Sequence, residues 1–72
     1  MMTTKITKNY ICAGIGKSLR EFGYPDATDD KMAEIYDAYK AGKRGDELPH
    51  QVIGRFAERQ LEEAEALLKE LP

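Results

Sequence analysis

The segment from Pro49 to Leu71 is one unbroken amphipathic pattern, and it constrains the fold of this chain more than any other feature. Its apolar residues recur at spacings of three and four, as on one face of an α-helix. They are Val52, Ile53, Phe56, Ala57, Leu61, Ala64, Leu68 and Leu71. Two outcomes are open for this apolar face. Either the rest of the chain covers it completely, which gives a compact helical domain, or part of it is left for a partner.

Two further helices are predicted upstream. Ile11, Ile15, Leu19 and Phe22 form an apolar row over 8–22, which Gly23 and Pro25 end. Thr28 is a good N-cap for a helix over 29–41, and Gly42 closes it. Connections of roughly five to eight residues suit antiparallel neighbours. The sequence therefore predicts a single all-α domain over 1–72, a small three-helix domain with a long amphipathic C-terminal helix over 49–71 and frayed residues 1–5.

The C-terminal helix divides into two parts. Val52, Ile53 and Phe56 are bulky and are assigned to the domain's own core. From Ala57 onward the spacing is four, three, four and three, which is typical of a coiled-coil seam. We predict that a partner is bound through this seam and through two aromatic residues near the second helix, that is through Tyr24, Tyr39, Ala57, Leu61, Ala64, Leu68 and Leu71. Packing of the seam inside the domain is the alternative.

The net charge of −2 hides a gradient along the chain. Residues 1–22 carry four bases against one acid, a net charge of +3, whereas residues 46–72 carry three bases against seven acids, a net charge of −4. This asymmetry indicates pairing of the basic and acidic segments within one chain or between two chains. The alternative is a pair of solvated faces.

The basic N-terminal segment gives an alternative function, a small DNA-binding transcriptional regulator that uses Lys5, Lys8, Lys17 and Arg20. A DNA-binding domain usually has a clearly basic balance, whereas this chain has an isoelectric point near 5.3. The balance argues against a nucleic-acid partner. It favours a protein partner or a second copy in a homodimer.

No motif indicates enzymatic chemistry, a cofactor or a metal ion. Gly14 to Ser18 resembles the end of a phosphate-binding loop, but Ile11 stands where that motif needs its first glycine. Cys12 is the sole cysteine and is interpreted as a buried apolar residue. His50 is the sole histidine and is expected on the surface of a first helical turn. The tripeptide Arg44-Gly45-Asp46 is interpreted as an ordinary turn.

The expected location is the cytoplasm. No stretch approaches the ~18 apolar residues of a membrane span, and the first residues lack the apolar core of a secretory signal. A single cysteine also fits a reducing compartment.

Three short segments carry a resemblance to a class of proteins. They are Leu48-Pro49-His50, Val52-Ile53-Gly54 and Phe56-Ala57-Glu58, preceded by a helix end at Tyr36 to Gly42. Over roughly residues 22–65 the chain resembles short uncharacterised proteins of actinobacterial phages and integrated elements. The resemblance implies a regulatory role through binding of a host or phage protein, and it implies no activity or site residues.

Overall fold

The computed structural model describes residues 7–70, and these residues form an all-α fold. Helix α1 spans Lys8–Phe22, α2 spans Asp29–Lys40 and α3 spans Gln51–Glu70, with a single 3₁₀ turn at Gly45–Glu47 before α3. The predicted three-helix domain with a long C-terminal helix is confirmed. The predicted fraying of residues 1–5 and the predicted helix end at Leu71 lie outside the described residues.

Threonine side chains begin the first two helices. The Thr7 hydroxyl accepts a hydrogen bond from the backbone N–H of Tyr10 at 3.2 Å, and the Thr28 hydroxyl accepts one from Lys31 at 3.3 Å. Each bond satisfies an N–H group that has no partner inside its helix. The Thr28 cap was predicted, and both helices begin at the predicted residue.

Glycines at left-handed backbone angles end the same two helices. Gly23 has φ of 118°, and the N–H of the next residue, Tyr24, donates back to the Leu19 carbonyl at 2.9 Å. This is the backbone reversal that glycine accommodates without a steric cost. Gly42 has φ of 99°, and α2 ends one residue earlier than predicted.

The start of α3 differs from the prediction. Pro49 precedes the helix, which begins at Gln51, because His50 adopts a left-handed φ of 55° between them. Gly54 then packs on this turn, and a Cβ at its position would lie 2.7 Å from the Pro49 carbonyl oxygen. The atoms nearest to that Cβ belong to Leu48 and Pro49, so the close contact at Gly54 is with this turn and not with another helix. Leu48 is buried, and its own Cβ would lie 3.3 Å from the Cβ added at Gly54.

All three helices and both connections contribute to one hydrophobic core. The buried residues are Cys12, Ile15, Leu19, Ala27, Met32, Ile35, Tyr39, Leu48, Ile53, Ala57 and Leu61. Ile35, in the middle of α2, has no exposed surface at all. Helix α2 therefore presents its apolar face entirely to the core.

Helix α1 runs antiparallel to α2, as predicted. Lys8, at the start of α1, lies 2.7 Å from Asp37 near the end of α2, and Arg20, near the end of α1, lies 3.7 Å from Asp29 at the start of α2. These two ion pairs tie both ends of the helix pair together.

Helices α2 and α3 run in the same general sense, so the predicted antiparallel arrangement is wrong for this pair. Glu34 lies 3.3 Å from His50 just before α3, whereas Lys40, farther along α2, lies 3.1 Å from Glu65 far along α3. The connection between Lys40 and Gln51 includes the 3₁₀ turn and is long enough to return the chain.

Candidate interaction face

The exposed large apolar side chains of residues 7–70 all lie on α1 and α3, and none lies on α2. They are Tyr10 and Phe22 on α1, and Val52, Phe56, Leu67 and Leu68 on α3. Isolated exposed apolar residues are normal on protein surfaces. Their concentration on two adjacent helices is the observation that needs an explanation.

We define the α1–α3 face as the surface shared by the solvent sides of these two helices. It is formed by Tyr10, Gly14, Ser18 and Phe22 of α1, and by Val52, Phe56, Gln60, Glu63, Leu67 and Leu68 of α3. Tyr10 and Leu67 share one end of the face, and Phe22 meets Phe56 near the other. Helices α1 and α3 are therefore antiparallel, and the first turns of α1 lie beside the last turns of α3.

An open groove of about 770 Å³ occupies the end of the face near Tyr10. Its walls are Tyr10, Ile11, Gly14, Ile15 and Ser18 on α1, and Gln60, Glu63, Ala64, Leu67, Leu68 and Glu70 on α3. Among the described residues, the charged groups in these walls are the carboxylates of Glu63 and Glu70. The groove is therefore largely apolar with an acidic margin on the α3 side.

Small residues create the groove. A Cβ at Gly14 would meet no atom within 4 Å, whereas a Cβ at Gly16, two residues on, would lie 3.3 Å from the Ala27 oxygen and from the Met32 side chain. Gly16 is therefore required by the contact of α1 with α2. Gly14 is not required by any contact inside the domain, although glycine in a helix costs about 1 kcal/mol relative to alanine.

An aromatic cluster forms the other end of the face. The ring centroids of Tyr24 and Phe56 are 5.1 Å apart, and those of Phe22 are 5.9 Å from Phe56 and 6.2 Å from Tyr24. These separations are within the range of favourable ring contacts. Tyr24 is half-buried, whereas Phe22 remains largely exposed on top of the cluster.

The structure divides the predicted partner-binding residues. Tyr39, Ala57 and Leu61 are at most 4% exposed and belong to the chain's own core, so their prediction as contact residues is wrong. Ala64 and Leu68 line the groove. Two other predicted residues remain: Tyr24 lies in the aromatic cluster, and Leu71 is outside the described residues.

Val52 and Phe56 correct a further prediction. Both were assigned to the core, and both are exposed on the α1–α3 face. Sequence reasoning also missed Tyr10 and Leu67. Tyr10 carries a sequence signal that was available, since it lies four residues before Gly14 and eight before Ser18, on one side of a helix.

Tyr39 closes the contact between α2 and α3. Its hydroxyl donates to Glu65 Oε1 at 3.0 Å, and the Arg44 guanidinium lies 3.6 Å above its ring. Burial, followed by the hydrogen bond to Glu65, raises the pKa of Tyr39. Hydrogen bonds from Lys40 and Tyr39 lower the pKa of Glu65. These contacts are structural and leave Tyr39 inaccessible to a partner.

Ion pairs within residues 7–70 link α1 to α2, α2 to α3 or α2 to the turn before α3, and one links α3 to the 3₁₀ turn. They are Lys8–Asp37, Arg20–Asp29, Lys40–Glu65, His50–Glu34 and Arg55–Asp46. None of them joins α1 to α3. The predicted pairing of the basic and acidic segments inside one chain is therefore wrong for the described residues.

The basic segment is largely committed to the fold. Lys8 pairs with Asp37, and this hydrogen bond is the main cause that raises the pKa of Lys8. Arg20 donates to the Ala27 carbonyl at 2.6 Å. Among the bases of residues 7–22, Lys17 makes no ion pair with another described residue.

The remaining sequence motifs have structural roles. Gly14 to Ser18 lies inside α1 and not in a loop before a helix, which removes the phosphate-loop geometry. Arg44 covers Tyr39, and Asp46 pairs with Arg55. Cys12 is buried as predicted, and burial raises the pKa of its thiol. Residues 7–70 contain no group of three histidine, cysteine or acidic residues placed to share a metal ion.

Comparisons with known proteins do not extend this picture. No protein-family model, curated protein or solved structure matches the chain significantly. Within residues 7–70, none of the helices has the length and apolar character needed to cross a membrane.

Proposed function

We propose that this chain is a non-enzymatic protein-interaction module that binds a protein through the α1–α3 face. The observation that supports the proposal is the placement of every exposed large apolar side chain of the described residues on α1 and α3, around a groove. Burying such side chains against a partner is favourable at ~25 cal/mol per Å² of apolar surface.

The extent of the exposed apolar surface also supports binding. At ~200 Å² for a fully exposed aromatic side chain, Tyr10, Phe22 and Phe56, which are 64%, 72% and 36% exposed, present roughly 340 Å² together. This area is divided between the Tyr10 end and the Phe22–Phe56 end of the face, and exposed aromatic side chains are enriched at protein interfaces. Val52, Leu67 and Leu68 add to this area.

The resemblance to short phage and mobile-element proteins favours a regulatory role in which the bound protein belongs to the host or to the phage. A chain with one buried cysteine fits the cytoplasm. The DNA-binding alternative is disfavoured, because Lys8 and Arg20 are held in contacts with α2 and the turn before it.

Site-specific photo-crosslinking in the native cells tests the proposal. A photoreactive phenylalanine at position 18, on the groove wall, is expected to give a protein adduct that mass spectrometry identifies and that Leu67→Asp abolishes. The same group at position 30, on the exposed side of α2, is the matched control and is expected to give none. Equal adducts at both positions, or none at position 18, would contradict the proposal.

A further inference from the structure

We infer that the protein bound by the α1–α3 face is a second copy of this chain, with α1 of each copy against α3 of the other. The inference rests on the proposed function and names its partner. Two facts favour a second copy. The charges of α1 and α3 are complementary, but within the described residues they do not pair with each other. Because the two helices are antiparallel, the complementary charges also lie at similar heights along the helix axes.

The two helices that form the face carry opposite charge. Helix α1 has three bases against one acid, a net charge of +2, and α3 has three bases against five acids, a net charge of −2. No ion pair of the described residues joins them, because α2 lies against both and takes the contacts. An association that places α1 against α3 of another copy brings these opposite charges together.

A two-fold axis along the groove produces this arrangement. Rotation about this axis places α1 of one copy against α3 of the other without shifting either helix along its length. Both copies therefore use the same surface patch. Gly14 and Ser18 flank the groove at the level of Gln60 and Glu63. Lys17 is exposed on the flank of α1 next to Ser18, outside the groove, and its long side chain then comes within reach of Glu63 of the other copy.

The same pairing repeats one turn along. Glu21 follows Lys17 by four residues, and Arg59 precedes Glu63 by four, so antiparallel helices bring Glu21 level with Arg59. All four side chains are exposed and none makes an ion pair within residues 7–70. The two-fold axis generates each of the two pairs twice.

Other occupants explain less of the face. A basic helix from another protein would pair with Glu63 and Glu70 but would leave Lys17 facing like charge. An arrangement in which α3 lies parallel to α3 of a second copy would bring the acidic positions of α3 together. The exchanged arrangement pairs the charges of both helices and covers the apolar ends of the face with each other.

The size of the face fits a reversible dimer. A standard interface buries ~800 Å² on each partner, which is roughly 15% of the 5308 Å² surface of this chain. The exposed apolar side chains supply a large part of that area. Interfaces of this area range in affinity from micromolar to picomolar, so association is expected to be detectable at micromolar concentration.

Sedimentation equilibrium from about 1 to about 300 µM measures the association. The wild-type chain is expected to approach twice its mass of 8.1 kDa across this range. Lys17→Glu and Glu63→Lys are each expected to weaken the dimer about tenfold or more, because each places like charges opposite one another twice. An equimolar mixture of the two variants is expected to recover wild-type affinity, since a mixed dimer restores both pairs.

Lys43→Glu is the matched control, because it makes the same charge change in the loop after α2 and is expected to leave the association unchanged. A wild-type chain that stays at 8.1 kDa throughout would overturn the second-copy inference. A mixture no tighter than the separate variants would overturn it too. Failure here is distinct from failure of the proposed function, because a position-18 adduct with a different protein would still support the interaction module.

Discussion

The two sides of this small domain use their residues in opposite ways. On the α2 side, apolar side chains are buried and acids and bases are paired across helix boundaries, as with Lys8 and Asp37 or Lys40 and Glu65. On the α1–α3 face, Phe22 and Leu67 are exposed, and Lys17 beside it makes no ion pair within residues 7–70. The exposed side chains of the α1–α3 face can therefore be changed with little effect on the stability of the folded domain.

A core substitution on α2 should have the largest effect. Ile35→Ala is expected to lower the free energy of unfolding by about 2–5 kcal/mol, because Ile35 is completely buried and its truncation leaves a cavity. A domain of this length has a total stability of roughly 4–10 kcal/mol, so the loss is a large fraction of it. Urea denaturation followed by circular dichroism measures the change.

Leu67→Ala is the counterpart on the α1–α3 face. It removes a similar apolar group from a side chain that is largely exposed, so it is expected to change the unfolding free energy of the monomer by less than about 0.5 kcal/mol. It should nevertheless weaken association through the face. If Leu67→Ala destabilises the monomer as much as Ile35→Ala, the proposed division between the two sides is wrong.

The sequence predicted this division only in part. The helix limits were predictable because Thr28, Gly23 and Gly42 act locally, through one hydrogen bond or one backbone angle. The start of α3 was not predictable, because no local sequence signal marks the left-handed φ of His50 or the contact of Pro49 with Gly54. Local signals cannot report such tertiary contacts.

The prediction of the site failed for a similar reason. The regular spacing of Ala57, Leu61, Ala64 and Leu68 correctly identifies one side of α3, but spacing cannot tell how far along the helix the other two helices reach. They cover Ala57 and Leu61 and leave Leu68 partly exposed. The spacing places Tyr10 on the same side of α1 as Gly14 and Ser18, but it does not say that this side of α1 lies beside α3.

After Ile35→Ala, Gly54→Ala is expected to lower the unfolding free energy most. The added Cβ would lie 2.7 Å from the Pro49 carbonyl oxygen, which belongs to the backbone and cannot move aside freely. A loss of about 1–2 kcal/mol in unfolding free energy is expected, after the gain that alanine brings to a helix. Thermal and urea unfolding of the purified variant measure it.

Gly14→Ala is expected to change stability in the opposite direction. No atom lies within 4 Å of the added Cβ, so the substitution should raise the unfolding free energy by about 0.5–1 kcal/mol. Gly14→Leu should retain much of that gain and also fill the groove, which would weaken association through the α1–α3 face. A destabilised Gly14→Ala, or a Gly14→Leu chain that associates as well as Gly14→Ala, would contradict the view of an open groove that serves a partner.

The smallest expected effect is the contribution of Glu65, which contacts α2, to the pH dependence of the unfolding free energy. Hydrogen bonds from Lys40 and Tyr39 lower the pKa of Glu65 in the folded chain from its ordinary 4.5. The unfolded chain therefore binds this proton more readily than the folded one, so the contribution is present above about pH 4.5 and is lost as the pH falls through the folded pKa. Glu65→Gln should therefore make the unfolding free energy fall less steeply as the pH is lowered. The expected difference is on the order of tenths of a kcal/mol, and urea unfolding between pH 6 and pH 3 measures it. Tyr39→Phe keeps the Lys40 contact and should give an intermediate slope, whereas identical acid profiles for the wild type and Glu65→Gln would show that this contact contributes nothing to the α2 side.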